Sequence, residues 1–457
     1  MLSFTKLCKF CFHSSVLPLP HTKITVAIQF GQCGNQLGPC FFRHALRCGA
    51  SAGADVAGLF EEAGGPGGSV LRPRAVLVDM EPKVIDSCLQ TSKLNYDPKA
   101  VLVRQAGSGN NWAHGHGVFG PRVFDELSNL VQKQAEKVDS GVNLFTLSSL
   151  AGGTGSGLSS YFLERAGDVL GQKCVISAGT VLPFAGRPEV QTQAYNAVLS
   201  LSRMLDWAGN VVLASNDDAA EVYRKARPQA ALPSFSALNQ VLAHQLALAS
   251  VRGRSLDLKN AFPLAPGPLF PLNALRATPA LPALSGDKNE SLRPFAVQAV
   301  SRQMIVEGSC ADSQLKYALT EKNTPVRYAA GRLSLFEGDY RARLLRKTGD
   351  SAHSEQAKLA TEDRETCKFC ASSRLFRVRQ LEARVERVSP VPGTCCSSLV
   401  LNGDLNRPAL VRLVGDAKAM LARRQFVHLY EQRGLEAGEL VEAIARVRQC
   451  VRDYDSL

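Results

Sequence analysis

The seven residues Ala151-Gly152-Gly153-Thr154-Gly155-Ser156-Gly157 constrain this chain more than any other stretch. They follow the apolar, β-branched run Val142 to Leu150 and open the helical pattern Leu158 to Leu163. A glycine-rich passage from strand to helix lets successive backbone N–H groups converge on an anion, and the helix N-terminus adds its partial positive charge. The expected ligand is a di- or triphosphate.

Two better-known phosphate loops are excluded by residue type. A P-loop ends in Gly-Lys-Ser/Thr, and no lysine follows these glycines. The dinucleotide fingerprint needs a third glycine where Leu158 or Ser160 stands, and no acidic residue lies at the distance that would hold a ribose. Without a lysine, backbone amides and a hydrated Mg²⁺ must balance the phosphate charge, and Mg²⁺ favours carboxylates directly or through water.

A second loop, Gly31-Gln32-Cys33-Gly34-Asn35-Gln36, directly follows the strand-like run Ile24 to Phe30. The two loops in this order resemble the phosphate loops of the tubulin family. Arg74 to Pro82, the turn Gly107-Ser108-Gly109-Asn110-Asn111-Trp112-Ala113 and the run Phe235 to Leu246 extend the match, and the wording is most similar to the family's delta branch. The implied fold is α/β: a tubulin-like GTPase domain with a parallel sheet flanked by helices, a core helix, a second mixed α/β domain and C-terminal helices. On that pattern residues 1–22 form an N-terminal extension, 23–234 the nucleotide-binding domain, 235–252 the core helix, 253–390 a weakly matching and partly loop-like intermediate domain, and 391–457 the C-terminal helical region.

The periodicity agrees with this division. Short β-branched runs such as Ala75 to Val78 and Val211 to Ala214 alternate with helical patterns up to about Ala231. Leu238, Val241, Leu242, Gln245, Leu246 and Ala249 recur at helical spacing, which suits a core helix ending near Ser250. Residues 261–284 are dense in Pro, Ala and Leu. Ala417 to Tyr430 resembles the family's long surface helix, and a final amphipathic helix is expected from Glu436 to Tyr454.

The resemblance implies a GTP or GDP site with Mg²⁺. Gly31, Ala151, Gly152, Gly153, Gly155 and Gly157 line the phosphate cradle, with hydroxyls from Thr154 and Ser156 and the small side chain of Cys33 beneath the ligand. Asp79, Glu81 and Gln32 are the expected metal contacts, largely through water. Asn110 resembles the residue that senses the γ-phosphate. Asn216 and Asn239 take the guanine-binding positions, since an amide both donates and accepts, and Phe235 takes the position of a ring stacked on the base. Each has a plain structural alternative: Asp79 and Glu81 as a helix-capping pair ahead of Pro82, the others as caps or core groups.

Two residues depart from the family pattern. Gln193 stands where a ribose-contacting glutamate is expected, so a neutral contact replaces a charge-assisted one; Glu189 lies close by. Asn260, in Asp257-Leu258-Lys259-Asn260, stands where an acidic residue reaches a neighbouring subunit's nucleotide and helps activate water, and an amide cannot act as a general base.

Composition bounds the remaining readings. The chain has 457 residues, room for two or three domains. Its net charge of +12 departs from the acidic alpha and beta branches, but the excess is spread along the chain, so no nucleic-acid partner is expected. Apolar stretches break before the roughly 20 residues a membrane helix needs, and no membrane insertion is expected. Thirteen cysteines include Cys-Lys-Phe-Cys twice, at Cys8/Cys11 and Cys367/Cys370, too far apart in sequence for one zinc ribbon. The expected partners are other tubulins or microtubule and centriole components. The expected location is the cytoplasm and cytoskeleton, at centriole, basal body and cilium, with the nucleus as a further site. The competing functions are a nucleotide-dependent enzyme on a doubly wound sheet and a nucleotide-free tubulin scaffold.

Overall fold

The computed structural model describes residues 24–52, 55–65, 68–137, 142–171, 174–186, 188–226, 232–252, 255–256, 272–277, 326–336, 376–377, 381–386, 396–403 and 406–455. The N-terminal extension, both Cys-Lys-Phe-Cys pairs and Asn260 lie outside these residues.

The sheet grows outward from β1 (Thr25–Phe30), which is buried along its whole length. Its alternate residues serve two cores: Val26, Ile28 and Phe30 join one apolar cluster, and Ala27 joins the other. That is the period-two signature of a strand covered on both faces. Around it lie β4 (Ala75–Asp79), β5 (Val101–Val103), β6 (Asn143–Ser149), β7 (Ile176–Leu182), β8 (Asn210–Ser215) and β9 (Leu272–Ala277). The order β5-β4-β1-β6-β7-β8-β9 is parallel throughout. Beyond β9, β11 (Cys396–Gly403) pairs antiparallel, and β10 (Val326–Phe336) pairs antiparallel to β11. The hairpin of β2 (Phe60–Gly65) and β3 (Gly68–Pro73) stands apart from this sheet.

Helices cover both faces. One core collects Phe41 and Phe42 of α1 (Gly31–Ala52), Ile85 of α2 (Pro82–Thr91), and Leu242 and Leu246 of α7 (Phe235–Ser250). The other collects Leu127 of α3 (Gly120–Ala135), Phe162 of α4 (Ser159–Leu170) and Leu199 of α5 (Gln193–Trp207). Leu413 of α8 (Arg407–Ala422), Tyr430 of α9 (Val427–Glu431) and Val447 of α10 (Ala437–Asp455) pack onto that second core. The short helix α6 (Asn216–Ala226) follows β8 directly. The expected tubulin-like α/β architecture is therefore present: parallel sheet, flanking helices and C-terminal helices. The core helix spans Phe235–Ser250 and the last helix Ala437–Asp455, each within a residue or two of expectation.

The stretch Ala417 to Tyr430 differs from expectation. Helix α8 starts earlier, at Arg407, and ends at Ala422. Arg424 and Phe426 then adopt left-handed φ values of 50° and 58°, which no helix interior tolerates. The amides of Arg424 and Gln425 turn back onto the carbonyls of Leu421 and Met420. The break redirects α9 so that Val427 and Tyr430 are buried. The stretch is two helices, and the second one carries core residues.

Candidate functional site

The parallel strands end on one edge of the sheet, where such folds place their ligands. Gly31 leaves β1 at φ +68°, a conformation glycine adopts without strain. It also needs the space: a Cβ there would lie 3.0 Å from the backbone N of Gly155 and 3.5 Å from the Cβ of Thr154. The two glycine loops are thus in backbone contact. The Asn35 amide donates to the Gly31 carbonyl at 2.9 Å and to the Val78 carbonyl at 3.0 Å, tying the first loop to the end of β4.

A third segment closes against them. Gly107, Gly109 and Asn110 all have positive φ, forming a turn over the glycine run. A Cβ on Gly153 would lie 2.6 Å from Ser108 Oγ and 2.7 Å from the Asn111 N. The Thr154 hydroxyl donates to Ser108 Oγ at 3.0 Å. Asn110 holds its left-handed turn through its carbonyl, which accepts from Thr192 Oγ1 at 3.0 Å and from Asn196 Nδ2 at 2.8 Å. Asn196 Nδ2 also donates to the Ala151 carbonyl at 2.7 Å, so one buried amide binds the turn to the glycine loop. The Asn110 side chain remains exposed, near Gly152. Helix formation starts with a π-helical turn, Thr154–Leu158, in which Ser156 is fully buried and its hydroxyl donates to the Gly152 carbonyl. Gly157 is required by the same packing: its Cβ would lie 2.3 Å from the Trp112 carbonyl.

Asp79 is the last residue of β4, one position beyond the Phe30/Val78 pair and so level with Gly31. It is 3% exposed. Its Oδ1 accepts from the Met80 N at 2.7 Å, whereas Oδ2 has no hydrogen-bond partner among the described residues. Burial pushes its pKa up to about 6; the Met80 bond offsets part of this and the Glu81 charge adds to it. Glu81 occupies the N-cap position of α2 yet makes no capping hydrogen bond, so its exposed carboxylate is uncommitted to the helix. An orphaned buried carboxylate oxygen, an exposed carboxylate and the exposed Gln32 amide are oxygen donors of the kind that a hydrated divalent cation takes. Among the described residues no three His, Cys, Asp or Glu side chains cluster closely enough to cage a metal directly.

The other end of the edge gathers a second group. Asn216, the first residue of α6, is buried and its Nδ2 donates to Glu189 Oε1 at 3.3 Å. Burial raises the Glu189 carboxyl above its ordinary range, with the Asn216 bond lowering it in part. The Cys33 thiol is pushed up to about 12 by burial and then by the Glu189 charge, which places Glu189 beside the first loop. Gln193 is buried and fully engaged: Oε1 accepts from the Glu189 N at 3.0 Å and Nε2 donates to the Phe184 carbonyl at 3.1 Å. Its amide shapes the 184–193 loop, and among the described residues of that loop the charged group is Glu189. Phe235 opens α7 with its ring 51% exposed and 6.3 Å from that of Phe184, while Asn239 is buried one turn further on. Asn260 belongs to the residues outside the description.

Sequence reasoning did not single out Asn35, Ser108, Thr192, Asn196 or Tyr430 as parts of this site. The usable signal was an asparagine, Asn196, within the run Ala194-Tyr195-Asn196-Ala197-Val198: a polar residue on a buried helical face must have buried partners.

Comparison with known proteins agrees with this geometry. Residues 24–224 match the model of the Tubulin/FtsZ family, GTPase domain. The chain is 28% identical to the tubulin delta chain of Mus musculus over 464 residues, covering 94% of this chain and 99% of that one. It is 27% identical to the tubulin epsilon chain of Homo sapiens over 469 residues, covering 95% and 96%. The tubulin beta-1 chain of Colletotrichum graminicola is 25% identical over 470 residues, covering 94% of each. Two glycine loops in backbone contact at the carboxyl edge of a parallel sheet therefore lie in a Tubulin/FtsZ-family GTPase domain, residues 24–224, and the chain is similar to tubulin chains over nearly its whole length.

Proposed function

We propose that this chain binds GTP or GDP with Mg²⁺ and acts as a structural component of centrioles, basal bodies and cilia. The observation that carries the reading is the contact of Gly31 with Gly155 beside a buried carboxylate oxygen that lacks a partner. Backbone amides of the two loops and the start of α4 bind phosphate oxygens; the hydroxyls of Thr154 and Ser156, committed to Ser108 and to the Gly152 carbonyl, brace the cradle from within. Asp79, Glu81 and Gln32 hold the hydrated Mg²⁺, which supplies positive charge where the loop has no lysine. The Asn110 turn lies against the terminal phosphate. Asn239 and Asn216 bind the guanine edge under the ring of Phe235, and Glu189 takes the ribose. The likeness to delta and epsilon tubulin chains supports a cytoskeletal role. Other tubulins and centriole components are the proposed partners, with residues 23–234 as the nucleotide-binding domain and α7 as its link to the rest.

Hydrolysis by this chain alone is proposed to be slow, because Asn260 replaces the acid that the family presents to a neighbour's nucleotide, and an amide carries no exchangeable acid or base function. The output is then assembly controlled by bound nucleotide, through loops ordered around the phosphates.

Asn239→Asp tests the base contact. A carboxylate accepts from guanine N1–H but cannot donate to the ring carbonyl, and a lost or unpaired buried hydrogen bond costs about 1 to 3 kcal/mol. The wild-type chain is expected to retain GTP or GDP after denaturing extraction and to prefer guanine to adenine nucleotides. The variant is expected to bind GTP correspondingly more weakly. Equal affinities would remove Asn239 from the site, and extraction of NAD or FAD would replace the whole reading with a dinucleotide enzyme.

Imaging supplies a second test. The net charge of +12 differs from that of the acidic branches, so a tagged chain is expected at centrioles and basal bodies. Uniform labelling of interphase microtubules would overturn that location.

A further inference from the structure

We propose that Tyr430, reaching in from the C-terminal helices, is a positioning residue of the phosphate site, setting the Asn110 turn through the amide of Asn196. The proposal rests on the reading of the site as a nucleotide site.

The chain of contacts is short and saturated. Tyr430 is fully buried, and its hydroxyl donates to Asn196 Oδ1 at 2.6 Å. The same Oδ1 accepts from the Trp112 N at 2.8 Å. Asn196 Nδ2 donates both its protons, to the carbonyls of Asn110 and Ala151. One asparagine with every donor and acceptor in use therefore joins four segments: its own helix α5, the phosphate turn, the glycine loop and α9. Burial raises the Tyr430 phenol, so it is a neutral donor at any ordinary pH. Beside it the Asn111 side chain donates to the Leu429 carbonyl at 3.2 Å, a second tie between turn and α9. A third runs further out: His116, stacked on Trp112 at 4.2 Å, bonds Glu164 at 2.8 Å, and Arg203 bridges Glu164 to Glu439 of α10.

The geometry makes the orientation of Asn196 depend on Tyr430. Without the phenolic donor, the amide loses one of the two bonds that fix Oδ1, and the two carbonyls it holds on the other side lose their fixed anchor. One of those carbonyls is that of Asn110, whose left-handed turn has no helix or strand to support it. Coupling of this kind is reciprocal: nucleotide that orders the turn must also tighten α9, whose Leu429 is exposed.

Tyr430→Phe in the full chain isolates the hydroxyl while keeping the ring that packs on Tyr195. With Mg²⁺ present, its affinity for GTP is expected to fall about five- to tenfold, and its affinity for GDP by less, because the turn lies on the terminal-phosphate side. The amide of Trp112 is expected to exchange faster in the variant even without nucleotide. Val441→Ala, at an exposed site on α10, serves as the control with wild-type values. Equal losses for GTP and GDP accompanied only by a lower melting temperature would show a merely structural role and overturn the proposal, as would unchanged affinities. If the wild type binds neither nucleotide, the functional reading fails and the proposal with it, whereas nucleotide binding by the wild type with unchanged affinities in the variant overturns the proposal alone. If the variant does not fold, exchange in the wild type decides: GTP is expected to raise protection across residues 427–431, and no rise overturns the coupling.

Discussion

Replacing Gly153 with alanine is expected to abolish nucleotide binding and to destabilise the fold by about 3 kcal/mol or more. The backbone is not the reason. Gly153 has φ −78° and ψ −44°, values that alanine adopts freely. The reason is space: the added methyl would sit 2.6 Å from Ser108 Oγ and 2.7 and 2.8 Å from the N and O of Asn111. Two of those atoms are backbone, in a turn held from behind by Thr192, Asn196 and α9, so the turn cannot retreat without breaking bonds. The methyl therefore separates the Asn110 turn from the cradle and uncovers Trp112, which is 1% exposed. Gly167→Ala in α4 is the matched control: nothing lies within 4 Å of its Cβ. Alanine is worth about 0.5 to 1 kcal/mol over glycine inside a helix, so that variant should be more stable. Melting curves, Trp112 emission and GTP titration of the two variants read the contrast. Wild-type GTP affinity in Gly153→Ala would refute the placement of the turn against the loop.

Asp79→Asn is expected to stabilise the nucleotide-free protein at neutral pH while abolishing the stabilisation that Mg²⁺ and GTP confer. The folded-state pKa of Asp79 is raised from 3.8 to about 6, chiefly by burial. Well below pH 3.8 the carboxyl is protonated in folded and unfolded chains alike and imposes no penalty. As pH rises from there towards 6, the unfolded chain ionises freely while the folded chain does so only against burial, and stability falls. Above pH 6 the accumulated cost is about 3 kcal/mol. An asparagine escapes that cost but sets an amide NH₂ where Oδ2 has no partner, so a net gain of about 1 to 2 kcal/mol is expected at pH 7.5. The gain should vanish at pH 4. With Mg²⁺ and GTP added the order should reverse, because a ligand stabilises only the form that binds it. Melting curves from pH 4 to pH 8 with and without Mg²⁺ and GTP measure both effects. A difference between variant and wild type that does not change with pH would show that Asp79 is not the buried acid described here.

Much of the site is legible in the sequence because its chemistry depends on residues with no side chain. Where backbone must approach backbone, only glycine fits, and Gly31, Gly153, Gly155 and Gly157 announce the loops before any coordinates exist. The buried parallel strands are legible for a related reason: runs such as Ala75 to Val78 are apolar on both faces, and only a sheet covered on both sides hides them. The helix break after Ala422 is less legible, since no glycine or proline marks it. Arg424 and Phe426 are held at positive φ by turn bonds to Met420 and Leu421 and by the burial of Val427 and Tyr430, which local propensity does not register.

The sequence by itself determined the strand-to-helix loops and the parallel α/β class, since each follows from local rules of sterics and periodicity. Only the tertiary structure decided which polar groups serve the site. Gln193 was marked as a ligand contact by its position, yet both ends of its amide are committed to the 184–193 loop. Asn196 and Tyr430 stand 234 residues apart and meet at 2.6 Å. A hydrogen bond leaves no periodicity in sequence; the fold alone makes these two distant segments neighbours, and burial then makes their bond obligatory.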